Sequence, residues 1–499
     1  MNKSAIIIGA GLGGLFTGAF LAKNGLRVTM LEKNDTIGGG LQCFRRLDKT
    51  FETGMHIMGG FRPGGNLYKM CKYLGILDKL KLHHIDDDCM DEIFYHSTGE
   101  VFRIPSGRHR FVDRLSSYFP HEAEGIRNYV EQLYRITDEI SLFHLGEGPY
   151  ELLFKSEIAT WPADRLIAQF VSDPKLQEIL AYLCPIYGGV REHTPAYIHA
   201  LINVLYINGA SRFVDGSQHF ADALRDVILQ CGGEVIPSSE VVNIEVEDKS
   251  VSAIYTADGR RFSADIFVSS IHPTELVRMI PNGTFSRFFV KRINEIPVSY
   301  SAFGLFIDLK PGRFPYIDHT CYLMKDFGSM WNQDMCDPDL WPAGFMYMTP
   351  PDSGQGPFAD RLLIHSIMSY DQVRQWENTS LGHRGEEYLK WKEHCVERLI
   401  SAMELRYPGF RDMISHVYAA SPLTIRDYYH TKEGAIFGYQ KDCQDLFFSR
   451  LPVYTKLRNL FLTGQNVNLH GICGVPLTAL LTANAILGSN SLVNQIKNV

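Results

Sequence analysis

The chain opens on an apolar run that passes straight into a glycine turn. In AIIIGAGLGG (5–14), β-branched residues lead into Gly9, Gly11 and Gly14, and LFTGAFLAKNG (15–25) follows. A short continuous apolar run bounded by glycine reads as a buried strand, and the longer segment after it as a helix. LRVTMLE (26–32) supplies a second strand that ends on Glu32. Between 76 and 209 the pattern becomes mostly helical. FVDRLSSYF (111–119), EAEGIRNYVEQLYRITDEI (122–140) and PKLQEILAYLCPIY (174–187) repeat apolar residues at i, i+3 and i+4. Residues 213–273 read as one helix followed by several short strands. Residues 281–454 add the strands YSAFGLFIDLK (300–310) and LLIHSIMSY (362–370) and the helix GEEYLKWKEHCVERLISAMELRY (385–407). Near the end, NLFLTGQNVNLHGICGVPLTALLTANAIL (459–487) gives a short strand, a turn at Gly464, a glycine loop at Gly471 and Gly474, and an apolar helix.

The first of these units has the order of a dinucleotide cradle. Gly9 permits the tight turn, Gly11 lets the backbone approach a pyrophosphate, and Gly14 lets the helix pack on the strand, with Leu12 and Gly13 at the helix start. The helix N-terminus then faces the phosphates. Glu32 stands 18 residues after Gly14, where a carboxylate can accept hydrogen bonds from both ribose hydroxyls, with Lys33 beside it. The run EKNDTIGGG (32–40) then brings Gly38, Gly39 and Gly40, followed by Leu41. FAD enzymes with two dinucleotide-binding domains place a second glycine pair here, and NAD enzymes have no need of one. Gly464, Gln465, Gly474 and Val475 belong to the C-terminal segment, whose amides suit the ribityl and pyrimidine of a flavin. The expected cofactor is therefore noncovalent FAD. No second GxGxxG follows another strand, so electrons are expected to come from an external donor or go to an external acceptor.

Four phrases carry a family resemblance: FETGMHIMGG (51–60), CGGEVIPSSEVVNIEVED (231–248), SPLTIRDYYHTKEGAIFGYQ (421–440) and LFLTGQNVNLHGICGVPLTALLTANAIL (460–487). The chain resembles the phytoene desaturase, carotenoid isomerase and retinol saturase group of flavoproteins, above all the retinol saturase branch. The resemblance implies an α/β, Rossmann-type two-dinucleotide-binding-domain flavoprotein with an interleaved α+β substrate domain. The FAD domain would be discontinuous, over 1–75, 210–280 and 455–499, and the substrate domain would take 76–209 and 281–454. It further implies contacts to FAD from Gly54 and His56, and from the backbone of Val241 to the adenine, although ordinary strand packing accounts equally for the Val241 side chain. Two departures stand out. Relatives often carry arginines where this chain has Thr36 and Gly40, which leaves Arg45 or Arg46 as the expected countercharge, and the usual acid after the C-terminal glycine is Gln465.

With 499 residues, 45% hydrophobic and 21% charged, the chain can bury a core of two to three domains. At a net charge of −7 nothing in the composition points to nucleic acid. Ten cysteines without a CxxC pair suggest free thiols in a reducing, cytoplasmic setting. A signal-peptide reading of the start is rejected, because cleavage would remove the first strand and the cradle. PYELLFKSEIATWPADRLIAQF (149–170) is expected to cover the substrate cavity, and its composition is also compatible with peripheral contact with a membrane.

No metal site is expected. His83, His84, Asp86, Asp87 and Asp88 read as a solvated loop, and GGFRPGG (59–65) as a mobile turn near the substrate entrance. His56 is the leading catalytic candidate, since imidazole can give or take a proton near neutral pH, and a hydrogen bond to the cofactor is its other reading. Tyr428 and Tyr429 are further proton-donor candidates, with Tyr439 near them, and all three also suit the wall of an apolar tunnel. The function expected is an FAD-dependent oxidoreductase acting on carbon–carbon double bonds of an apolar polyene or isoprenoid. Saturation, desaturation and isomerisation all stay open, as does an amine oxidase-like enzyme, because that fold is shared.

Overall fold

A strand that is apolar on both sides has to be covered on both faces, and Ser4–Ile8 meets that condition as the middle strand of a five-stranded sheet. The computed structural model describes residues 3–54, 56–146, 154–331, 336–354, 356–488 and 491–499. Strand order in this sheet is Leu460–Leu462, Ile266–Ser269, Ser4–Ile8, Arg27–Leu31 and Glu234–Ile236, and every pair is parallel. The sheet thus draws strands from both ends of the chain and from its middle. The helix Leu12–Lys23 covers one face and packs between Gln218–Gln230 and Gly471–Leu487. Its glycines set the distance. A Cβ on Gly18 would stand 2.9 Å from Ile228 and from Met30, and one on Gly14 would overlap the carbonyl oxygen of Gly9. Val241–Glu247 and Ser250–Thr256 form an antiparallel ribbon that Arg261–Phe262 extends.

A seven-stranded sheet forms the second body. Its order is Ile414–Ala420, Ser301–Leu309, Arg361–Met368, Gly344–Met348, Thr320–Met324, Asp91–Tyr95 and Val101–Ile104. The pairs are antiparallel except for Thr320–Met324 with Asp91–Tyr95. All nine residues of Ser301–Leu309 are buried, because alternate side chains serve two interfaces. Phe303, Leu305, Ile307 and Leu309 pack with Leu399, Ile400 and Met403 of the helix Glu386–Arg406. Phe306 faces the other way, towards Phe51, Met348 and Leu363.

Local detail differs in three places. Within the mostly helical segment 76–209, Asp91–Tyr95 and Val101–Ile104 form a hairpin, whose short alternating pattern is hard to see between longer helices. His83 and His84 lie on the strand Leu82–His84 paired with Ser211–Phe213, with His83 on Asp318 and His84 on Ser211. The 59–65 turn, read as mobile, is packed at its start and exposed at Pro63 and Gly64. Phe61 is buried, Gly59 lies against Leu205, and the Gly59 carbonyl accepts from Cys473 Sγ at 3.0 Å.

The glycine packing predicts opposite outcomes for two neighbouring substitutions. Gly14→Ala drives Cβ into a backbone oxygen that cannot rotate away, and should cost at least about 2–3 kcal/mol in urea unfolding. Gly11→Ala meets no atom within 4 Å and should cost less than about 1 kcal/mol. Equal midpoints for the two variants would contradict this account of the turn.

Candidate cofactor and substrate site

Three glycine segments meet at the end of the five-stranded sheet. Gly9 has φ 95° and donates to the Leu31 carbonyl at 2.8 Å. Gly38 donates to Ala10 at 2.8 Å and bridges to Gly11, while a Cβ on Gly39 would stand 3.2 Å from Gly11 Cα. The C-terminal segment closes on the same point. A Cβ on Gly13 would lie 2.7 Å from Gly464 Cα and 3.3 Å from Val475, and Thr17 Oγ1 and Thr463 Oγ1 are 3.0 Å apart. Gly11, Gly40 and Gly471 face open space. The helix Leu12–Lys23 starts there without a side-chain cap and without an acid in its first turn. Its free N–H groups and positive dipole end therefore point to where an anion can sit.

Glu32 is buried. Its Oε2 accepts from Ala10 N at 2.8 Å and its Oε1 from Asn34 N at 2.9 Å, which leaves a second lone pair on each oxygen for a ligand hydroxyl. Lys33 adjoins it, its ammonium lowered by burial. Leu12 is half-buried, and Leu41 is buried with its carbonyl accepting from Ser217 Oγ at 2.9 Å. Val241 is buried in the core at the start of its strand, close after Ser239, which donates to the Glu32 carbonyl at 2.7 Å. Gln465 is half-buried beside Gly438, and Gly474 packs on Leu469.

Gly54 brings the second glycine run and Tyr429 together. A Cβ there would stand 2.7 Å from Tyr429 Oη and 3.3 Å from the Gly40 carbonyl. Tyr429 donates to Thr53 Oγ1 at 2.9 Å, and burial pushes its phenol up to about 12. Tyr428 points elsewhere, at 52% exposure. Arg45 and Arg46 are exposed, and Arg46 stacks over Phe44 and Tyr418 at 5.2 and 5.8 Å. That geometry sets the Arg46 charge against Phe44 of the two-stranded hairpin and Tyr418 of the edge strand Ile414–Ala420.

Two residues beyond Gly54, His56 stacks on His365, with ring centroids 4.2 Å apart and planes 23° from parallel. The rings are half-buried, but His56 Nδ1 and His365 Nε2 are closed off from solvent and have no hydrogen-bond partner among the described residues. Burial lowers both, His365 to about 4 and His56 well below the usual histidine value, where His365 and Arg212 also oppose its charge. The pair therefore rests neutral, and an imidazolium at His56 is not its standing form. Arg212 is buried nearby and donates to Thr320 Oγ1 at 2.9 Å and to the Thr349 carbonyl at 3.3 Å. Glu52 and Asp91 are buried acids raised by desolvation to about 8 and about 7, and Tyr182 donates to Asp91 at 2.9 Å. His365, Arg212, Glu52 and Asp91 were not legible as site residues. Their only local sign is a polar side chain inside an apolar stretch.

Two helices pack against each other along apolar faces. Ile198, Leu201, Ile202 and Leu205 share one face of Ala196–Ile207 and, with Cys473 and Leu477 of Gly471–Leu487, line a small apolar void of about 20 Å³. Phe154 covers the outside, its ring 4.8 Å from that of Tyr197. Residues 149–153 of the expected cover lie outside the described residues. Glu92, His319 and Cys321 bring ligand atoms within 4.8 Å of one another. Arg103 and Arg406, each 3.1 Å from Glu92, neutralise that carboxylate, and their charges oppose a cation. Among the described residues all ten cysteines are free, and no helix is long and apolar enough to cross a membrane.

The buried titratable groups give pH a two-sided effect on stability. Glu52 has its folded value above the unfolded 4.5, so the stability it contributes is present at low pH and is lost as pH rises towards about 8. The lost amount is at most roughly 5 kcal/mol. His199, lowered by burial to about 3, acts in reverse, and its contribution disappears as pH falls below about 6.5. Glu52→Gln should flatten the alkaline limb of urea midpoints measured from pH 5 to 8.5 and leave the acid limb in place. An unchanged alkaline slope would mean that Glu52 is ionised in the fold.

A family model described as NAD(P)-binding Rossmann-like domain matches residues 7–74. The chain is 26% identical to an all-trans-retinol 13,14-reductase of Rattus norvegicus, over 97% of this chain and 86% of the relative. It is also 26% identical to prolycopene isomerase 1, chloroplastic, of an Oncidium hybrid cultivar, over 85% of this chain and 73% of that one. The crystal structure of an oxidoreductase from Methanosarcina mazei superposes with a TM-score of 0.63 at 16% identity, covering 97% of this chain and 100% of that one, and so shares the fold. Over nearly its whole length the chain is thus similar to proteins named for retinol reduction and prolycopene isomerisation.

Proposed function

We propose that the protein is an FAD-dependent oxidoreductase acting on carbon–carbon double bonds of an extended apolar polyene or isoprenoid. The observation that carries this reading is the convergence of the three glycine segments on open space, with Gly13 against Gly464. The two relatives above are named for reactions of a retinol and of prolycopene, which supports a polyene substrate. In this reading 1–75, 210–280 and 455–499 hold the cofactor, while 76–209 and 281–454 cover the substrate.

The residues present fit FAD. Open space over Gly11, Gly40 and Gly471 would be filled by a Cβ, and Ser269 Oγ and Asn468 Oδ1 are buried without hydrogen-bond partners among the described residues. Amides at the start of Leu12–Lys23 would hold the diphosphate, Glu32 the ribose, and the Gly464–Val475 segment the flavin end. Bound there, FAD supplies hydride exchange with the double bond. The chain's own part is to orient the alkene between Ala196–Ile207 and Gly471–Leu487, to exclude water, and to handle one proton. His56 Nδ1 is the candidate atom for that proton. Because burial keeps the ring neutral, the proton has to enter it before it can be passed on. Electrons would be exchanged with an external partner.

Purified protein should be yellow and should release FAD on heating or acidification; NAD alone, no nucleotide after reconstitution, or a flavin that stays with the denatured chain would sink the assignment. Anaerobic mixing of the reduced protein with a polyene, and of the oxidised protein with an amine, separates this reading from an amine oxidase by which one changes the flavin spectrum.

Glu32→Ala should weaken FAD binding by about 30-fold to 1000-fold, about 2–4 kcal/mol, through loss of two charge-assisted hydrogen bonds. Unchanged affinity in a folded variant would leave Glu32 as a partner of the Ala10 and Asn34 amides only. His56→Gln should keep FAD content near wild type while slowing reoxidation of the reduced protein by substrate at least about ten-fold. Loss of FAD at an unchanged rate per bound flavin would assign His56 to cofactor binding instead.

A further inference from the structure

Among the described residues the two most exposed large apolar side chains are Phe447, at 79%, and Phe288, at 71%. They are far apart in sequence, yet one guanidinium brings them together. Phe288 belongs to the helix Arg287–Glu295, and Arg292, one turn further along the same flank, donates from Nη2 to the carbonyls of Phe447, Phe448 and Arg450. The inner side of this helix is committed to the core, where Ile293 is buried and Phe289 and Val290 pack. Arg287, Phe288 and Lys291 are therefore left facing outward, and all three are exposed.

The loop that carries Phe447 is tied down on both sides of it. Asp445 Oδ1 accepts from Phe448 N at 2.8 Å, the Ser449 carbonyl accepts from the buried Lys441 at 3.3 Å, and Leu451 N donates to the Val467 carbonyl at 2.8 Å. Phe448 packs inward with its ring 5.6 Å from the Arg292 guanidinium, so the next ring along, Phe447, is held outward. Lys441 and His470 line one small void, and Val467 lies between Gly464 and Gly471, which sets this corner one loop away from the C-terminal glycine segment. The charge here also runs against that of the whole chain. Arg287, Lys291, Arg292 and Arg450 outnumber Glu295, 3.8 Å from Lys291, and Asp445, on a chain whose net charge is −7. Arg450 stands 5.8 Å from the Phe447 ring.

We propose that this corner docks on an anionic lipid bilayer, with Phe288 and Phe447 entering the boundary between headgroups and acyl chains and Arg287 and Lys291 meeting the lipid phosphates. An exposed aromatic ring gains by leaving water at that boundary, and the long stems of Lys and Arg reach back to the charged surface. Each basic residue held near such a surface adds attraction, which a locally positive corner supplies on an acidic chain. A protein partner is a poorer match. Two rings offer at most about 300–500 Å² of apolar area, whereas a stable protein interface buries about 800 Å² on each side. A bilayer needs only the wedge. Vesicle binding involves no substrate, so this inference goes beyond the reaction proposed above and does not depend on it.

The test sediments the purified holoprotein with sucrose-loaded vesicles, one set of phosphatidylcholine alone and one of equal parts phosphatidylcholine and phosphatidylglycerol. Wild type should bind the anionic set at least about ten-fold more tightly, and less so as salt is raised. Phe288→Ser combined with Phe447→Ser should weaken binding to the anionic set at least about ten-fold with an unchanged urea midpoint, since both rings lie outside the core. Arg287→Glu combined with Lys291→Glu should abolish the preference for anionic vesicles. Wild type that stays in the supernatant, equal binding to both vesicle sets, or a phenylalanine variant that binds like wild type would overturn the proposal, as would an anionic preference that survives the charge reversal. Self-association of lipid-free wild type that the phenylalanine variant loses would overturn it too, and would assign the two rings to a second copy of this chain.

Discussion

The arrangement depends on how closely the backbone of the helix Leu12–Lys23 approaches its neighbours. Gly14 admits the Gly9 carbonyl, Gly13 admits Gly464, and Gly18 admits Ile228 and Met30, so that one helix is pressed at once against the first turn, the C-terminal turn and the sheet. No residue with a Cβ allows these three approaches together. From this close seating follows the position of the Gly471–Leu487 helix. The Thr17–Thr463 contact, between residues 446 apart in sequence, ties the two ends of the chain at the same place.

Polar chemistry is then concentrated where water is excluded. Burial keeps His56 and His365 neutral, raises Glu52 and Asp91 towards neutral pH, and lowers Lys441. The shifts share their largest cause: a low-dielectric interior disfavours the charged form of acids and bases alike. Groups with values drawn towards neutrality exchange protons readily, which suits reactions at a hydrocarbon that offers no acidic or basic atom of its own. Two helices enclose the apolar void. Residues spaced i, i+3, i+4 and i+7 on Ala196–Ile207 face the void, and the remaining faces of that helix bury themselves against the surrounding helices.

Local order was legible where the chemistry is local. Strand, glycine turn, helix, strand and acid follow one another within residues 4–32, and each step is dictated by neighbours in sequence: apolar residues for a central strand, glycine where φ is positive or a backbone comes near, and an acid at a strand end. The long helices with clear 3.6-residue spacing were legible for the same reason. The hairpin Asp91–Val101 region, the strand holding His83 and His84, and the packed 59–65 turn were not, because short segments carry too few periods to separate strand from loop.

What the sequence by itself determined is the nucleotide cradle, the class of fold around it and the family likeness, since these rest on contiguous motifs. Only the tertiary structure decided which distant side chains share a site. His365 comes from a strand of the second sheet to lie on His56, Arg212 reaches Thr320 and Thr349, and Lys441 meets His470 across a small void. It also removed Tyr428 to the surface and turned Arg46 onto Phe44 and Tyr418. The reason is physical: turn conformation and helix packing are encoded by residues a few positions apart, whereas burial, and the proton affinity it sets, depends on every segment that closes over a group.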